Sequence, residues 1–172
     1  MDRFYRLPLD FRSVGLEPPD REMVYFCTPE GAEPAGSLGV DGIHFVLLPG
    51  DERVFCVDPS GMSDPYVLPV AKDFRTFLSC LLSCGDANVL SQIGWMSEEQ
   101  YRDLLRANED TRYPGWQEDA ARKREALAEI ERAFSLTARE PFAEVKALQA
   151  AFDPSVIPWS DEYYDVLGIE RQ

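Results

Sequence analysis

An apolar run at residues 43–48, enclosed by turn-forming sequences on both sides, constrains the fold of this chain more than any other feature. Six residues are too few for a typical helix, so the run predicts a β-strand. A polar turn separates it from a second apolar run at residues 54–57, which predicts a β-hairpin. Side chains alternate between the faces of a strand, which places Phe45 on one face and both His44 and Val46 on the other. Because both faces are largely apolar, we expect this strand to be central and covered on both sides.

Three further segments predict strands. Residues 23–28 and 66–70 are short and rich in β-branched and aromatic residues, which are typical of strands. Residues 33–39 predict an irregular edge strand. The sheet therefore forms from the first half of the chain.

The second half of the chain predicts helices. In residues 72–85 the apolar residues recur with the period of a helix, with Asp73 as the N-cap and Gly85 as the terminator. Strands first and helices afterwards indicate an α+β fold with an antiparallel sheet packed against helices and a helical C-terminal extension. Further helices are predicted over residues 86–93, after the capping box that begins at Ser97, over residues 116–134 with an apolar stripe that includes Trp116 and Ile130, and after Pro141.

The length of 172 residues fits one domain. We interpret residues 1–172 as a single α+β domain, with a sheet region at about residues 22–70 and a helical region at about residues 72–167.

The chain is strongly acidic, with a formal net charge of −14 from 31 acidic and 17 basic residues. Sequence-independent binding of DNA or RNA requires clustered lysines and arginines, so this composition argues against a nucleic-acid partner. It also argues against docking on anionic lipid. The charge fits a protein that meets a basic protein partner, or the ordinary solubility of an acidic protein.

The sequence features that bear on location favour the cytoplasm. No apolar stretch is long enough to span a membrane, and the first residues lack the apolar core of a signal peptide. The four cysteines lie in apolar segments without a CxxC motif, which is typical of reduced, buried thiols. These cysteines are Cys27, Cys56, Cys80 and Cys84.

Few residues suggest chemistry. His44, the single histidine, fits a general base or a metal ligand, but we interpret it as a sheet residue with a hydrogen-bonded ring nitrogen. Cys80 and Cys84 lie four residues apart on a predicted helix and, together with His44, would provide three zinc ligands. We interpret the two cysteines instead as residues that pack in the core. Phosphate-binding loops and HExxH are absent from the sequence. We therefore predict no enzyme, no cofactor and no metal site.

Acidic and aromatic residues cluster near the C-terminus. One interpretation is a solvated helix start, and the other is a recognition patch for a basic partner. The acidic residues within 109–131 offer a second candidate contact region. The candidate partner-binding residues are Trp159, Asp161, Glu162, Tyr163, Tyr164 and Asp165.

Three segments in the middle of the chain, at about residues 36 to 84, form a distinctive succession. They are GSLGVDGIHFVLL, VFCVDPSG and YVLPVAKDFRTFLSCLL, with Ala71, Phe74, Phe77 and Leu78 at the helix entry. This succession resembles the SUKH superfamily. It implies an α+β fold with a curved antiparallel sheet backed by helices. Most members are bacterial immunity proteins that bind and neutralise toxins, often nucleases, and some eukaryotic members are regulatory scaffolds. The superfamily shares no catalytic residues.

These observations predict a non-enzymatic protein-binding domain. The more specific expectation from the resemblance is an immunity protein that neutralises a basic toxin through an acidic surface. A regulatory or scaffold protein with another partner is the alternative. A hydrolase that uses His44 and scattered carboxylates is the third hypothesis.

Overall fold

The computed structural model describes residues 1–20, 22, 24–62, 65–109 and 114–171, with the backbone alone at residue 109. Within them the chain forms an open four-stranded antiparallel sheet in the order β1-β2-β3-β4, together with six α-helices. The predicted α+β fold is confirmed. The strands are β1 (Glu33–Ser37), β2 (His44–Leu47), β3 (Val54–Val57) and β4 (Val67–Ala71). The helices are α1 (Phe74–Cys84), α2 (Ala87–Gln92), α3 (Glu98–Glu109), α4 (Trp116–Phe134), α5 (Phe142–Ala150) and α6 (Asp161–Leu167).

The hairpin of β2 and β3 occupies the centre of the sheet, as predicted. His44 pairs with Val57, and the register continues without a bulge along the whole of β2. The two edge strands each contain a proline, Pro34 in β1 and Pro69 in β4. Proline lacks the N–H that a central strand must donate, so an edge position tolerates it and resists pairing with other chains. The Gln149 side chain of α5 donates to the Pro69 carbonyl at 3.3 Å, so a helix also covers this edge.

The strand predicted over residues 23–28 is wrong for the part that the structure describes. Residues 24–28 contain no strand and residues 26 and 27 form a turn, while residue 23 lies outside the described residues. The Thr28 N–H donates to the Tyr25 carbonyl at 2.8 Å, while the Tyr25 N–H donates to Thr28 Oγ1 at 2.9 Å. Threonine side chains offer the backbone such local hydrogen bonds in place of a strand ladder. The apolar residues of this segment pack against the C-terminal residues instead of against a neighbouring strand.

Apolar side chains cover both faces of the sheet. On the inner face, Phe45 packs with the residues of α1, α2 and α4 in the larger core cluster. On the outer face, Val46 packs with Phe55, Phe152 and Ile157 in a smaller cluster. The alternation predicted for β2 is therefore confirmed, and the outer cluster requires the C-terminal residues to complete it.

The helix boundaries follow local capping. The Asp73 side chain accepts from the Thr76 N–H at 2.6 Å and Gly85 ends α1 in the left-handed conformation, both as predicted. Ser97 and Gln100 form the reciprocal hydrogen bonds of a capping box at the start of α3. In α4 Ile130 is buried, as the predicted stripe requires, whereas Trp116 in the first turn is only partly covered, with 37% of its surface exposed. None of the helices in the described ranges is long and apolar enough to cross a membrane.

Candidate partner-binding face

His44 is buried, with 3% of its surface exposed, and both ring nitrogens have polar partners. Nδ1 lies 2.7 Å from the Gly42 carbonyl oxygen, and Nε2 lies 3.2 Å from Thr28 Oγ1. A carbonyl oxygen only accepts, so Nδ1 carries the proton and the Thr28 hydroxyl donates to Nε2. That hydroxyl oxygen accepts in turn from the Tyr25 N–H, so the ring ends a chain of hydrogen bonds that holds the turn at residues 25–28 against β2.

The surroundings of His44 favour the neutral imidazole. Burial lowers the pKa of the ring from its ordinary value near 6.5, and the hydrogen bond to Gly42 opposes this only in part. The Tyr25 ring stacks on the imidazole with 5.7 Å between ring centroids. These contacts agree with the interpretation of His44 as a hydrogen-bonded sheet residue.

The four cysteines are buried and free. Burial raises the pKa of the Cys27, Cys80 and Cys84 thiols to about 12 and also raises that of Cys56, so all four are protonated at neutral pH. Cys80 and Cys84 belong to the inner cluster, whereas the His44 side chain lies on the outer face, so the sheet separates them. Among the described residues, no group of three or more His, Cys, Asp or Glu side chains is placed to hold a metal ion.

The six candidate partner-binding residues lie together on α6 and the turn before it. The Ser160 side chain caps this helix by accepting from the Tyr163 N–H at 3.3 Å. The Trp159 ring stacks on the Tyr163 ring with 4.0 Å between centroids and 7° between planes. Tyr163 also contacts the rings of Phe26 and Tyr66. Tyr163, with Trp159 stacked on it, therefore anchors the C-terminal segment on the rest of the protein.

The acidic members of the set point to solvent. Asp161 binds Arg171 at 2.6 Å, and the Arg171 guanidinium lies 5.7 Å from the Tyr164 ring centroid. Asp161 and Glu162 occupy the first turn of α6, where negative charge is favourable beside the helix dipole. Both interpretations of the cluster thus have support, because these carboxylates stabilise a helix start and remain accessible. Asp165 lies one turn further along, on the same exposed helix.

The two segments that build the outer side of the sheet hold most of the negative charge. We call the surface of residues 24–62 and 153–171 the acidic face. The segments are joined by hydrogen bonds from the Glu30 N–H to the Pro158 carbonyl at 2.7 Å and from the Ser160 hydroxyl to the Phe26 carbonyl at 3.5 Å. Together they contain eleven Asp and Glu against two arginines, a formal charge of −9 out of −14 for the whole chain.

Both arginines of the acidic face are already bound to carboxylates. Arg171 pairs with Asp161, and Arg53 binds both carboxylate oxygens of Asp51, with the closest contact at 2.5 Å. The Arg53 guanidinium also lies 5.2 and 5.1 Å from the ring centroids of Phe55 and Phe152. The hydrogen bond from the Arg53 side chain holds the pKa of Asp51 below its ordinary value. The face therefore offers a partner negative charge with little competing positive charge.

The helical side of the molecule is different. The helix α4, which holds most of the second candidate region, carries five acidic and four basic residues and is therefore close to neutral as a whole. Its charges pair one turn apart, as in Arg122 with Asp119 and Arg132 with Glu129. Residues 110–113 of that region lie outside the described residues.

Sequence reasoning missed Phe26, Tyr66 and Arg53. Phe26 and Tyr66 form the aromatic surface on which Tyr163 rests, with 5.3 Å between their own ring centroids. Nothing local in the sequence indicates that contact, because the partners are far apart in the chain. Arg53 had a detectable signal, since it follows Asp51 by two residues and directly precedes a strand.

Comparisons with known proteins found no similar protein. No protein-family model, no curated protein and no solved structure matches this chain.

Proposed function

We propose that this protein is a non-enzymatic binding domain whose acidic face captures a basic region of a partner protein. The observation that carries the proposal is the charge of −9 on the two packed segments of that face, where both arginines are held by carboxylates of the same face. Complementary charge steers association and raises its rate far above that of neutral surfaces. The near-neutral helical side would not raise the association rate with a basic partner in this way.

The chemistry around His44 supports binding rather than catalysis. Its ring nitrogens are engaged by Gly42 and Thr28, and burial favours the uncharged ring. The four thiols are protonated, and a thiolate is the form that acts as a nucleophile. Full function of a His44→Gln variant would agree with this view.

The resemblance to the SUKH superfamily narrows the proposal to an immunity protein that neutralises a basic toxin. The fold is compatible with that resemblance, since the sheet and α1 cover the residues that carry it. A regulatory scaffold that binds another basic protein uses the same face in the same way. The identity of the captured partner distinguishes these two versions.

The test measures association rates with a partner obtained by affinity capture from the source cell and identified by mass spectrometry. One variant neutralises four exposed carboxylates of the acidic face, and a matched control neutralises four exposed carboxylates of α3 and α4. The face variant is Glu30→Gln, Glu52→Gln, Glu162→Gln and Asp165→Asn. The control variant is Glu99→Gln, Glu118→Gln, Glu125→Gln and Glu131→Gln.

At low salt we expect the face variant to associate about tenfold more slowly, with the control close to the wild type. The difference should shrink at about 300 mM salt, where the Debye length is only a few ångströms. Equal association rates for the two variants, or a wild-type rate that does not depend on salt, would refute the proposal.

A further inference from the structure

A shallow groove crosses the acidic face at the end of the sheet where β1 begins and β2 ends. It consists of three adjoining depressions of about 340, 450 and 600 Å³, and Gly31 lines all three. Pro49 and Gly50, from the turn between β2 and β3, line the two larger ones. We call it the Gly31 groove.

The walls of the Gly31 groove combine apolar surface with negative charge. Val24 and Val156 are 67% and 60% exposed at its two ends, although valine ordinarily favours burial. Exposed carboxylates line the same depressions, and none of the described residues that line them is a lysine or arginine. These carboxylates belong to Glu30, Glu33 and Glu52. Apolar surface with a polar rim is typical of interaction sites.

Two exposed glycines, Gly31 and Gly50, line the groove. Gly31 and Gly50 both have positive φ, at 69° and 76°, and a Cβ on Gly31 would lie 3.3 Å from Pro49 Cγ. A Cβ on Gly50 would meet nothing within 4 Å, so open space lies directly above this residue. An open set of adjoining depressions lined by glycines suits a strip of polypeptide, whose backbone can approach closely, better than an enclosed small molecule.

We propose that the Gly31 groove holds an extended segment of the partner in which lysine or arginine alternates with apolar side chains. This inference rests on the proposed function and specifies where on the acidic face the partner binds. Charge complementarity selects this occupant: the apolar side chains would cover the two exposed valines, and the cations would meet the carboxylates of the rim. Alternation follows from the period of an extended chain, which places successive side chains on opposite sides.

Three valine-to-lysine variants test the groove with equal changes in charge and size. Val156→Lys places a cation in the groove, Val166→Lys places one on α6, and Val40→Lys places one in the loop at the opposite end of β2. All three positions are exposed, at 60%, 57% and 57%, so folding should be preserved. Glu52→Lys is a second groove variant, to be used if Val156→Lys unfolds.

A direct probe complements the variants. We suggest titrating isotope-labelled protein with the peptide acetyl-Lys-Val-Arg-Val-Lys-Val-Arg-amide and, as a control, with the same peptide carrying glutamine at each cationic position. The amide signals of Gly31 and Gly50 report on the groove, while those of Gly115 and Gly168 report on α4 and α6.

The expected result is a set of shifts at Gly31 and Gly50 with the cationic peptide only, and a loss of about tenfold in affinity for peptide and partner in Val156→Lys. Val40→Lys and Val166→Lys add the same charge to the acidic face outside the groove, so they should lose clearly less affinity than Val156→Lys. Weakened partner binding in Val166→Lys alone would overturn the groove while leaving the proposed function intact. If no lysine variant, and no carboxylate variant of the acidic face, alters partner binding, both proposals fall.

Discussion

Acidification should destabilise this protein through His44 well before the carboxylates begin to titrate. The ring donates from Nδ1 to the Gly42 carbonyl and accepts at Nε2 from the Thr28 hydroxyl. A proton added to Nε2 would turn that acceptor into a donor and leave the Thr28 hydroxyl without its acceptor. The charged ring would also be buried at 3% exposure, which is unfavourable in a medium of low dielectric constant. The folded state therefore resists protonation that the unfolded chain accepts.

The sign and the size of the effect follow from linkage. The pKa of His44 is lower in the folded state than its ordinary value near 6.5, so the unfolded state binds more protons as the pH falls through that value. The contribution to stability is complete above about pH 7.5 and is lost as the pH falls. If the folded ring stays neutral throughout, the loss between about pH 7.5 and pH 5.5 reaches about 1.4 kcal/mol, which is its upper limit.

Urea denaturation followed by tryptophan fluorescence measures this loss for the wild type and for His44→Gln. Glutamine offers a donor and an acceptor but does not titrate in this range. His44 is the single histidine in the chain, so the difference between the two pH profiles isolates it, and the carboxylates cancel because both proteins share them. The two proteins will differ in their free energy of unfolding at pH 7.5, but the test compares only how steeply that free energy falls with pH in each. Equal slopes, or a wild type that becomes relatively more stable in acid, would refute the reasoning.

Two substitutions probe packing, each with a matched control. Gly36→Ala should lower the free energy of unfolding by about 2–3 kcal/mol, because the added Cβ would lie 2.5 Å from the Tyr5 hydroxyl oxygen. Gly50→Ala, also at positive φ but with open space around the new Cβ, should cost only about 1 kcal/mol, and equal losses in urea denaturation would contradict this account. Arg53→Lys should cost about 1 kcal/mol, because lysine cannot reproduce the bidentate contact or stack between two phenylalanine rings. The exposed Arg102→Lys should lose less, and the reverse order in the same assay would count against the role given to Arg53.

Much of the fold was predictable because its signals are local. The hairpin of β2 and β3 follows from two short apolar runs around a polar turn, and the alternation along β2 assigned Phe45 and Val46 to opposite faces correctly. The helix α1 follows from its period, its N-cap and its terminal glycine. In each case the residues that decide the structure lie in one short stretch of the chain, residues 43–57 for the hairpin and residues 73–85 for α1.

The acidic face was not predictable in the same way. The cluster at residues 159–165 was visible as composition, but its anchoring depends on contacts between positions as far apart as Phe26 and Ser160, 134 residues along the chain. The error at residues 24–28 has the same origin. An apolar, β-branched segment there reads as a strand, yet its side chains serve a contact with the C-terminal residues, and Thr28 closes it locally. Periodicity carries no information about such distant partners.

Packing and charge on this face are connected. The outer cluster turns apolar side chains of both segments inward, and the charged residues that separate them in sequence, apart from the buried Asp58, are left on the surface. Bringing a charge of −9 together in this way is unfavourable by itself, because like charges repel within a compact state. Burial of Phe152, Ile157 and their neighbours has to offset that repulsion. The two arginines of this face pair with carboxylates of the same face and leave most of its negative charge uncompensated. Proteins keep such locally unfavourable features mainly at functional sites, which agrees with the proposed function. In the proposed complex a basic partner would relieve this repulsion, so the proposed affinity and the repulsion within the free protein would have the same physical source.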